Sequence, residues 1–97
     1  MSREQVIKII GQYGPQLRAE HGVASLKLFG SVARNEAKAD SDVDFLVEFN
    51  RPTGYFGLVQ LQLFLESLLG GPVDLGTPGS LRPSLRQRIE QESLRVA

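Results

Sequence analysis

The feature that most limits the fold is a pair of short apolar runs joined by a polar connector. The first run ends at Gly30-Ser31, and the second, over 43–47, starts beside Asp42 and Asp44. Side chains two residues apart in an extended strand point to the same side, so these two carboxylates would be presented together. Two negative charges that close raise each other's pKa unless a cation lies between them. The pair therefore predicts a divalent metal site at the start of a strand.

The Gly-Ser break adds a second ligand-binding feature beside the carboxylates. Glycine lets a ligand approach the backbone, and a short helix predicted over 32–37 would offer N–H groups and a favourable dipole to a phosphate. Ser31 adds a hydroxyl donor. The alternative is an ordinary turn that binds nothing. Aspartate oxygens are hard ligands, which suit Mg²⁺ or Mn²⁺ rather than Zn²⁺.

A third carboxylate, Asp74, lies in the apolar segment Val73-Asp74-Leu75. Aspartate is unfavourable within a strand and therefore calls for an explanation. If this third strand lies beside the second, Asp74 completes a carboxylate cluster with Asp42 and Asp44. The alternative is an aspartate that faces solvent at the end of a strand.

Helical spacing and turn residues predict seven elements in the order α-β-α-β-α-β-α. This order defines an α/β or α+β domain with a three-stranded sheet and helices packed on it. The predicted strands cover 24–29, 43–49 and 73–75. The predicted helices cover 3–21, 32–37, 56–69 and a last segment that begins with Ser80 as N-cap and uses Leu85, Ile89 and Val96.

Three further local features refine the first helix. Ser2 and Gln5 have the spacing of a capping box, and Gly14-Pro15 should kink or divide the helix. His21 and Gly22 end it, because glycine readily takes the left-handed conformation. We expect this lone histidine to be an exposed surface residue rather than a general base.

The segment 56–69 is apolar nearly all round. Its main stripe is Leu58, Leu61, Leu65 and Leu68, and Val59, Leu63 and Phe64 lie elsewhere on the helix. A helix of this kind is buried on more than one side. The second buried side is either the surface of a partner or the neighbouring parts of the same core. Between Pro52 and Leu81 the only charged residues are Glu66 and Asp74.

Composition excludes several classes of protein. The 97 residues are enough for one domain, taken as 1–97, and the 11 basic residues balance the 11 acidic ones. A neutral chain has no field that draws it to nucleic acid, so direct nucleic-acid binding is not expected. Cysteine is absent and no run approaches about 20 apolar residues. We therefore expect a cytoplasmic protein that is not embedded in a membrane.

The combined pattern is more specific than its parts. Gly30-Ser31, then ten residues, then Asp-x-Asp, and a further aspartate on the next strand, resembles the signature of the DNA polymerase β-type nucleotidyltransferase superfamily. The run over 28–49 looks closely like the minimal nucleotidyltransferase (MNT) branch, and the segment over 73–83 is similar to its third-strand region. The chain departs from that branch at Gly76 and Gly79.

This resemblance implies a small mixed three-stranded sheet and a role for each site residue. Gly30 and Ser31 would hold the β- and γ-phosphates of ATP or another nucleoside triphosphate, and Arg34 could reach a phosphate. Asp42, Asp44 and Asp74 would be the catalytic, metal-binding carboxylates for two Mg²⁺ ions, with Mn²⁺ as a substitute. Asp74 would also help to deprotonate the acceptor hydroxyl. Attack on the α-phosphorus would release pyrophosphate.

The resemblance also implies a partner. Members of this branch are commonly antitoxins of HEPN-domain toxins and are thought to transfer AMP to a toxin tyrosine. The apolar helix over 58–69 and the arginine-bearing tail are the candidate contact surfaces. The alternatives are a non-catalytic antitoxin that occludes its partner, and a nucleotidyltransferase for a small molecule or RNA. Self-association into a homo-oligomer is a further option.

Overall fold

The computed structural model describes residues 1–38 and 40–97. The elements that it places in those residues are, in chain order, α1 (Arg3–Gln12), α2 (Gly14–His21), β1 (Val23–Phe29), α3 (Gly30–Ala33), β2 (Val43–Phe49), α4 (Tyr55–Leu69), β3 (Val73–Gly76), a 3-10 turn (Pro78–Ser80), α5 (Pro83–Glu92) and β4 (Leu94–Arg95). None of the described helices is both long and apolar enough to cross a membrane.

The strands form one mixed sheet in the order β3-β2-β1-β4. β1 pairs antiparallel with β2 and with β4, whereas β2 and β3 are parallel. The predicted mixed sheet with helices packed on it is confirmed, but its strand count of three is too low. The fourth strand, Leu94–Arg95, pairs with Leu28 and Lys27. Two residues are too few to show an alternating pattern, so only the pairing itself reveals this strand.

The start of the chain folds as predicted. The Gln5 N–H donates to Ser2 Oγ at 3.1 Å, and the Ser2 N–H donates to Gln5 Oε1 at 2.9 Å, which completes the capping box. The chain divides into α1 and α2 at Gly14-Pro15, and α2 ends at Gly22, whose φ is +66°. Proline fits the first turn of α2 because the N–H that it lacks has no partner there.

Two predicted helix boundaries are wrong. The short helix runs over Gly30–Ala33 rather than 32–37, because Asn35 takes a left-handed φ of 60° and cannot continue it. The last helix begins after Arg82 rather than Ser80 and ends before Val96. A proline at position 83 keeps Arg82 extended, at φ −63° and ψ 141°, which suits an N-cap. Ser80 instead closes the 3-10 turn with Thr77.

Helix α4 supplies one wall of the core. Leu61 and Leu65 are fully buried and belong to the same cluster as Phe45 of β2, while Leu58 and Leu68 are half-buried. The outer face of the helix is exposed, with Phe56 at 83% and Leu63 at 60% exposure. The predicted second apolar side of this helix is therefore present and lies open in the single chain.

The interpretation of His21 as an exposed surface residue is wrong. The ring is half-buried, because it stacks on Phe64 of α4 with the ring centroids 4.8 Å apart. It also lies at the far end of β2 from Asp44, since the neighbouring Gly22 carbonyl accepts the Asn50 N–H at 2.7 Å. His21 therefore packs two helices together and is remote from the carboxylates.

Candidate active site

The Gly-Ser turn lies directly against the start of β2. β1 ends at Phe29, which is the antiparallel partner of Asp44. Gly30 then turns the chain with φ +76°, and a Cβ atom at this position would collide with Oδ2 of Asp44. The half-buried Ser31 follows in α3, and its carbonyl accepts the Glu36 N–H at 2.8 Å. Glycine is required here both for the left-handed φ and for the close approach of the carboxylate.

The parallel pairing of β2 with β3 brings the second pair of site residues together. Asp44 and Asp74 are direct partners in the register, as are Val43 and Val73 in the same ladder. Partners in a sheet present their side chains on the same face, so the Asp44 and Asp74 carboxylates are neighbours across the strands. The condition set by the sequence, that the third strand should lie beside the second, is met.

The three aspartates lie in one electrostatic cluster. Burial raises the pKa of the half-buried Asp44, and the negative charges of Asp74 and Asp42 raise it further. The positive charge of Arg34 acts in the opposite direction on the same pKa. Asp42 lies two residues before Asp44, is exposed and precedes the strand. A cation placed among these groups would relieve their mutual repulsion.

The donor chemistry of the cluster fits a divalent ion. Carboxylate oxygens from Asp42, Asp44 and Asp74 are the hard ligands that Mg²⁺ and Mn²⁺ prefer. Across residues 1–38 and 40–97, however, no three acidic or histidine side chains converge closely enough to form a preformed metal cage. Repulsion between the carboxylates favours such an open arrangement. Asp44 and Asp74 are the two members that the backbone holds together.

Arg34 is exposed, and its guanidinium bonds to two glutamates of the described residues. It lies at the end of α3, where its Nε donates to Glu36 at 3.2 Å and its Nη1 to Glu92 at 3.5 Å. Glu92 also accepts from Arg88 one turn earlier in α5. The Arg34–Glu92 contact joins the end of α5 to the end of α3. The sequence gives no signal for the Arg34–Glu92 pair, whose members are 58 positions apart.

Comparison with known proteins identifies the class to which this fold and site belong. Residues 4–96 match the model of the nucleotidyltransferase domain family. The chain therefore belongs to the nucleotidyltransferase domain family, as the spacing of its glycine, serine and aspartates indicated.

Individual relatives show to which branch of the nucleotidyltransferase family the chain is similar. The protein adenylyltransferase MntA of Thermococcus cleftensis is 35% identical over 96 residues, which are 99% of this chain and 97% of that protein. A solved structure of a candidate minimal nucleotidyltransferase is 37% identical, covers 97% of this chain and 95% of its own, and superposes with a TM-score of 0.82. The resemblance to minimal nucleotidyltransferases is thus confirmed.

A more distant structure shares the fold. It contains a tri-AMPylated HEPN toxin of Shewanella oneidensis in complex with MNT antitoxin. The matching chain is 19% identical, with a TM-score of 0.66 over 94% of this chain and 71% of that one. At this identity the similarity shows a common fold.

Proposed function

We propose that this chain is a metal-dependent adenylyltransferase that transfers AMP from ATP to a tyrosine hydroxyl of a HEPN-domain toxin and thereby acts as its antitoxin. The observation that carries the proposal is the direct pairing of Asp44 with Asp74 beside the Gly30 turn. The names of the relatives, a protein adenylyltransferase and an MNT antitoxin bound to an AMPylated toxin, support the same reaction.

The turn is suited to hold the triphosphate. Gly30 turns the chain at φ +76° with the Asp44 carboxylate packed against it, so a phosphate held at this turn would lie next to that carboxylate, and Ser31 supplies a hydroxyl donor there. Arg34 lies at the end of the same short helix, with its guanidinium within electrostatic reach of Asp44. We assign Gly30, Ser31 and Arg34 to the phosphates of the nucleotide.

The carboxylates are suited to hold the metal and the acceptor proton. Asp42, Asp44 and Asp74 would bind divalent ions, which when present stabilise the attacking and leaving oxygens of an in-line displacement. In the reaction, the acceptor hydroxyl oxygen bonds to the α-phosphorus and the bond from that phosphorus to the β-phosphate bridging oxygen breaks. Pyrophosphate leaves, and Asp74 receives the proton of the hydroxyl. Asp74 suits this last role because it is both accessible to an acceptor and fixed beside Asp44 by the strand register.

The transfer is tested by intact mass. A HEPN-domain toxin, sought first in the adjacent reading frame, is incubated with this chain, ATP and Mg²⁺. We expect its mass to increase by whole AMP units, and the increase to disappear when a chelator removes the metal. Mutation of the acceptor tyrosine to phenylalanine is the control for the acceptor group. An unchanged mass with every nucleoside triphosphate would contradict the proposal.

A second function, neutralisation by occlusion, is favoured by the exposed face of α4. Phe56 and Leu63 on this face are 83% and 60% exposed, which suits contact with an apolar partner surface. We expect the Asp42→Ala/Asp44→Ala double variant to lose most of its protection of cells against the toxin, because AMP transfer is the main route of neutralisation. Growth of cells that express toxin and variant together measures this. Undiminished protection would show that occlusion is sufficient.

A further inference from the structure

Edge strand β3 is held on its outer side by side chains of α4. The Val73 N–H donates to Glu66 Oε2 at 3.1 Å, and the Gln62 side-chain amide donates to the Val73 carbonyl at 3.1 Å. Both contacts are partly buried. Glu66 and Gln62 are one helical turn apart, so their side chains project from the same face of the helix. Together they satisfy both outward-facing backbone groups of Val73.

The inner side of the same strand is held by β2. The Val43 N–H donates to the Pro72 carbonyl at 3.1 Å, so alternate residues of this segment bond toward β2. Asp74 follows the same alternation as Pro72, and it is the register partner of Asp44. The backbone at Asp74 is therefore bonded to the sheet, while that of its neighbour Val73 is bonded to α4.

This support is needed because the pairing of β3 is weak by itself. The strand has four residues, lies at the edge of the sheet and follows Gly70-Gly71. Its partner residue Asp44 carries the same charge as Asp74, and like charges directly opposite each other destabilise a strand pair. Repulsion at this position opposes the pairing of β3 with β2, and both the burial of the Val73 side chain and the bonds on the outer edge act against that repulsion.

We propose that Glu66 and Gln62 are positioning residues that hold Asp74 in register with Asp44 by bonding both backbone groups of Val73. We refer to these two residues as the α4 clamp. The clamp explains why Glu66 is present on an apolar helix. Glu66 and Asp74 are the only charged residues between Pro52 and Leu81. The catalytic consequence rests on the function proposed for Asp74, whereas the structural consequence does not.

Amide hydrogen exchange tests the contact itself. In Glu66→Ala we expect the Val73 amide to exchange at least about tenfold faster than in the wild type, while the amide of buried Phe45 keeps its rate. Glu66→Gln retains a carbonyl acceptor and should keep most of the protection. Unchanged exchange at Val73 in Glu66→Ala would overturn the clamp.

Kinetics of AMP transfer test the positioning role. For Glu66→Ala and Gln62→Ala we expect kcat to fall roughly tenfold, the size usual for groups that orient a metal-site ligand, with the nucleotide KM within about twofold of wild type. Gln60→Ala is the matched control, since Gln60 lies on an exposed part of α4 and has no side-chain hydrogen bond within the described residues. We also expect the loss to be non-additive, so that Glu66→Ala costs little more in an Asp74→Asn background.

The outcomes distinguish a failure of the proposed AMP transfer from a failure of the positioning role of the α4 clamp. A wild-type chain that transfers no AMP would refute the proposed function and leave the clamp to be judged by exchange at Val73. An active wild type with faster Val73 exchange but unchanged kcat in Glu66→Ala would refute the positioning role. The same holds if KM alone changes, or if the losses from Glu66→Ala and Asp74→Asn simply multiply.

Discussion

Replacing Asp44 by asparagine is expected to abolish AMP transfer and to make the metal-free protein more stable. The amide keeps the shape of the side chain but removes the charge that binds the metal. Loss of a metal ligand costs several kcal/mol of transition-state stabilisation, so we expect kcat to fall by at least about 10³-fold. Transfer is measured from the mass of the toxin, and stability from thermal unfolding in the presence of a chelator.

The gain in stability follows from the sign of the pKa shift at Asp44. Burial first, and then the charges of Asp74 and Asp42, raise the pKa of Asp44 above its usual 3.8. A carboxyl with a raised folded-state pKa binds more protons when folded, so the free energy of unfolding falls as pH rises from about the unfolded value through the folded one. At neutral pH the ionised Asp44 is therefore a cost to the fold, which asparagine removes.

The size of this gain is modest because Asp44 is only half-buried and its interactions are screened. A contribution of roughly 0.5 kcal/mol would raise the Tm by about 2–4 °C in a domain of this size. Glu48→Gln is the matched control, since Glu48 lies on the same strand, is exposed and is remote from the three site aspartates. A lower Tm for Asp44→Asn than for wild type, both without metal, would contradict the electrostatic account of the site.

Replacing Gly30 by alanine is expected to damage activity far more than stability. The new Cβ would occupy the space of the Asp44 carboxylate, and that carboxylate is the free end of a side chain that can rotate away. Rotation relieves the collision but removes Asp44 from the metal site, so we expect kcat to fall by about 10²-fold or more. The remaining cost to stability is the left-handed backbone, about 1–2 kcal/mol, together with a tight contact to the Asp44 Cβ atom, 3.2 Å from the new methyl carbon, which rotation does not move.

Gly70→Ala provides the control that separates these two effects. Gly70 has nearly the same φ, +73°, but a Cβ added there would meet no other atom within 4 Å. We expect Gly70→Ala to lose about 1–2 kcal/mol of unfolding free energy in urea and Gly30→Ala somewhat more, and only Gly30→Ala to lose activity. Equal activity in the two variants would show that the contact between Gly30 and Asp44 has no catalytic importance.

The sequence was sufficient to predict the parts of the site that local chemistry determines. The Gly30 turn, the strand that starts at Val43 and the carboxylate in the third strand each have a recognisable pattern over a few residues. The pairing of Asp44 with Asp74 was predicted conditionally, and the observed register meets the condition. The roles of these residues in catalysis remain predictions.

The features that sequence reasoning missed depend on contacts between distant segments. β4 has two residues, and its place is set by pairing with Leu28 and Lys27. Glu66 looked like an isolated charge on an apolar helix, yet it accepts a hydrogen bond from the Val73 backbone. The half-buried position of His21 results from stacking on Phe64. None of these contacts has a local pattern, because each depends on how the elements pack.

The central claim, attack at the α-phosphorus, is tested most directly by the position of a radioactive label in ATP. With Mg²⁺ and the HEPN-domain partner present, we expect ATP labelled on the α-phosphate to label the partner. ATP labelled on the γ-phosphate should leave the partner unlabelled and release its label in pyrophosphate. Labelling of the partner from the γ-phosphate, or from neither position, would contradict the account.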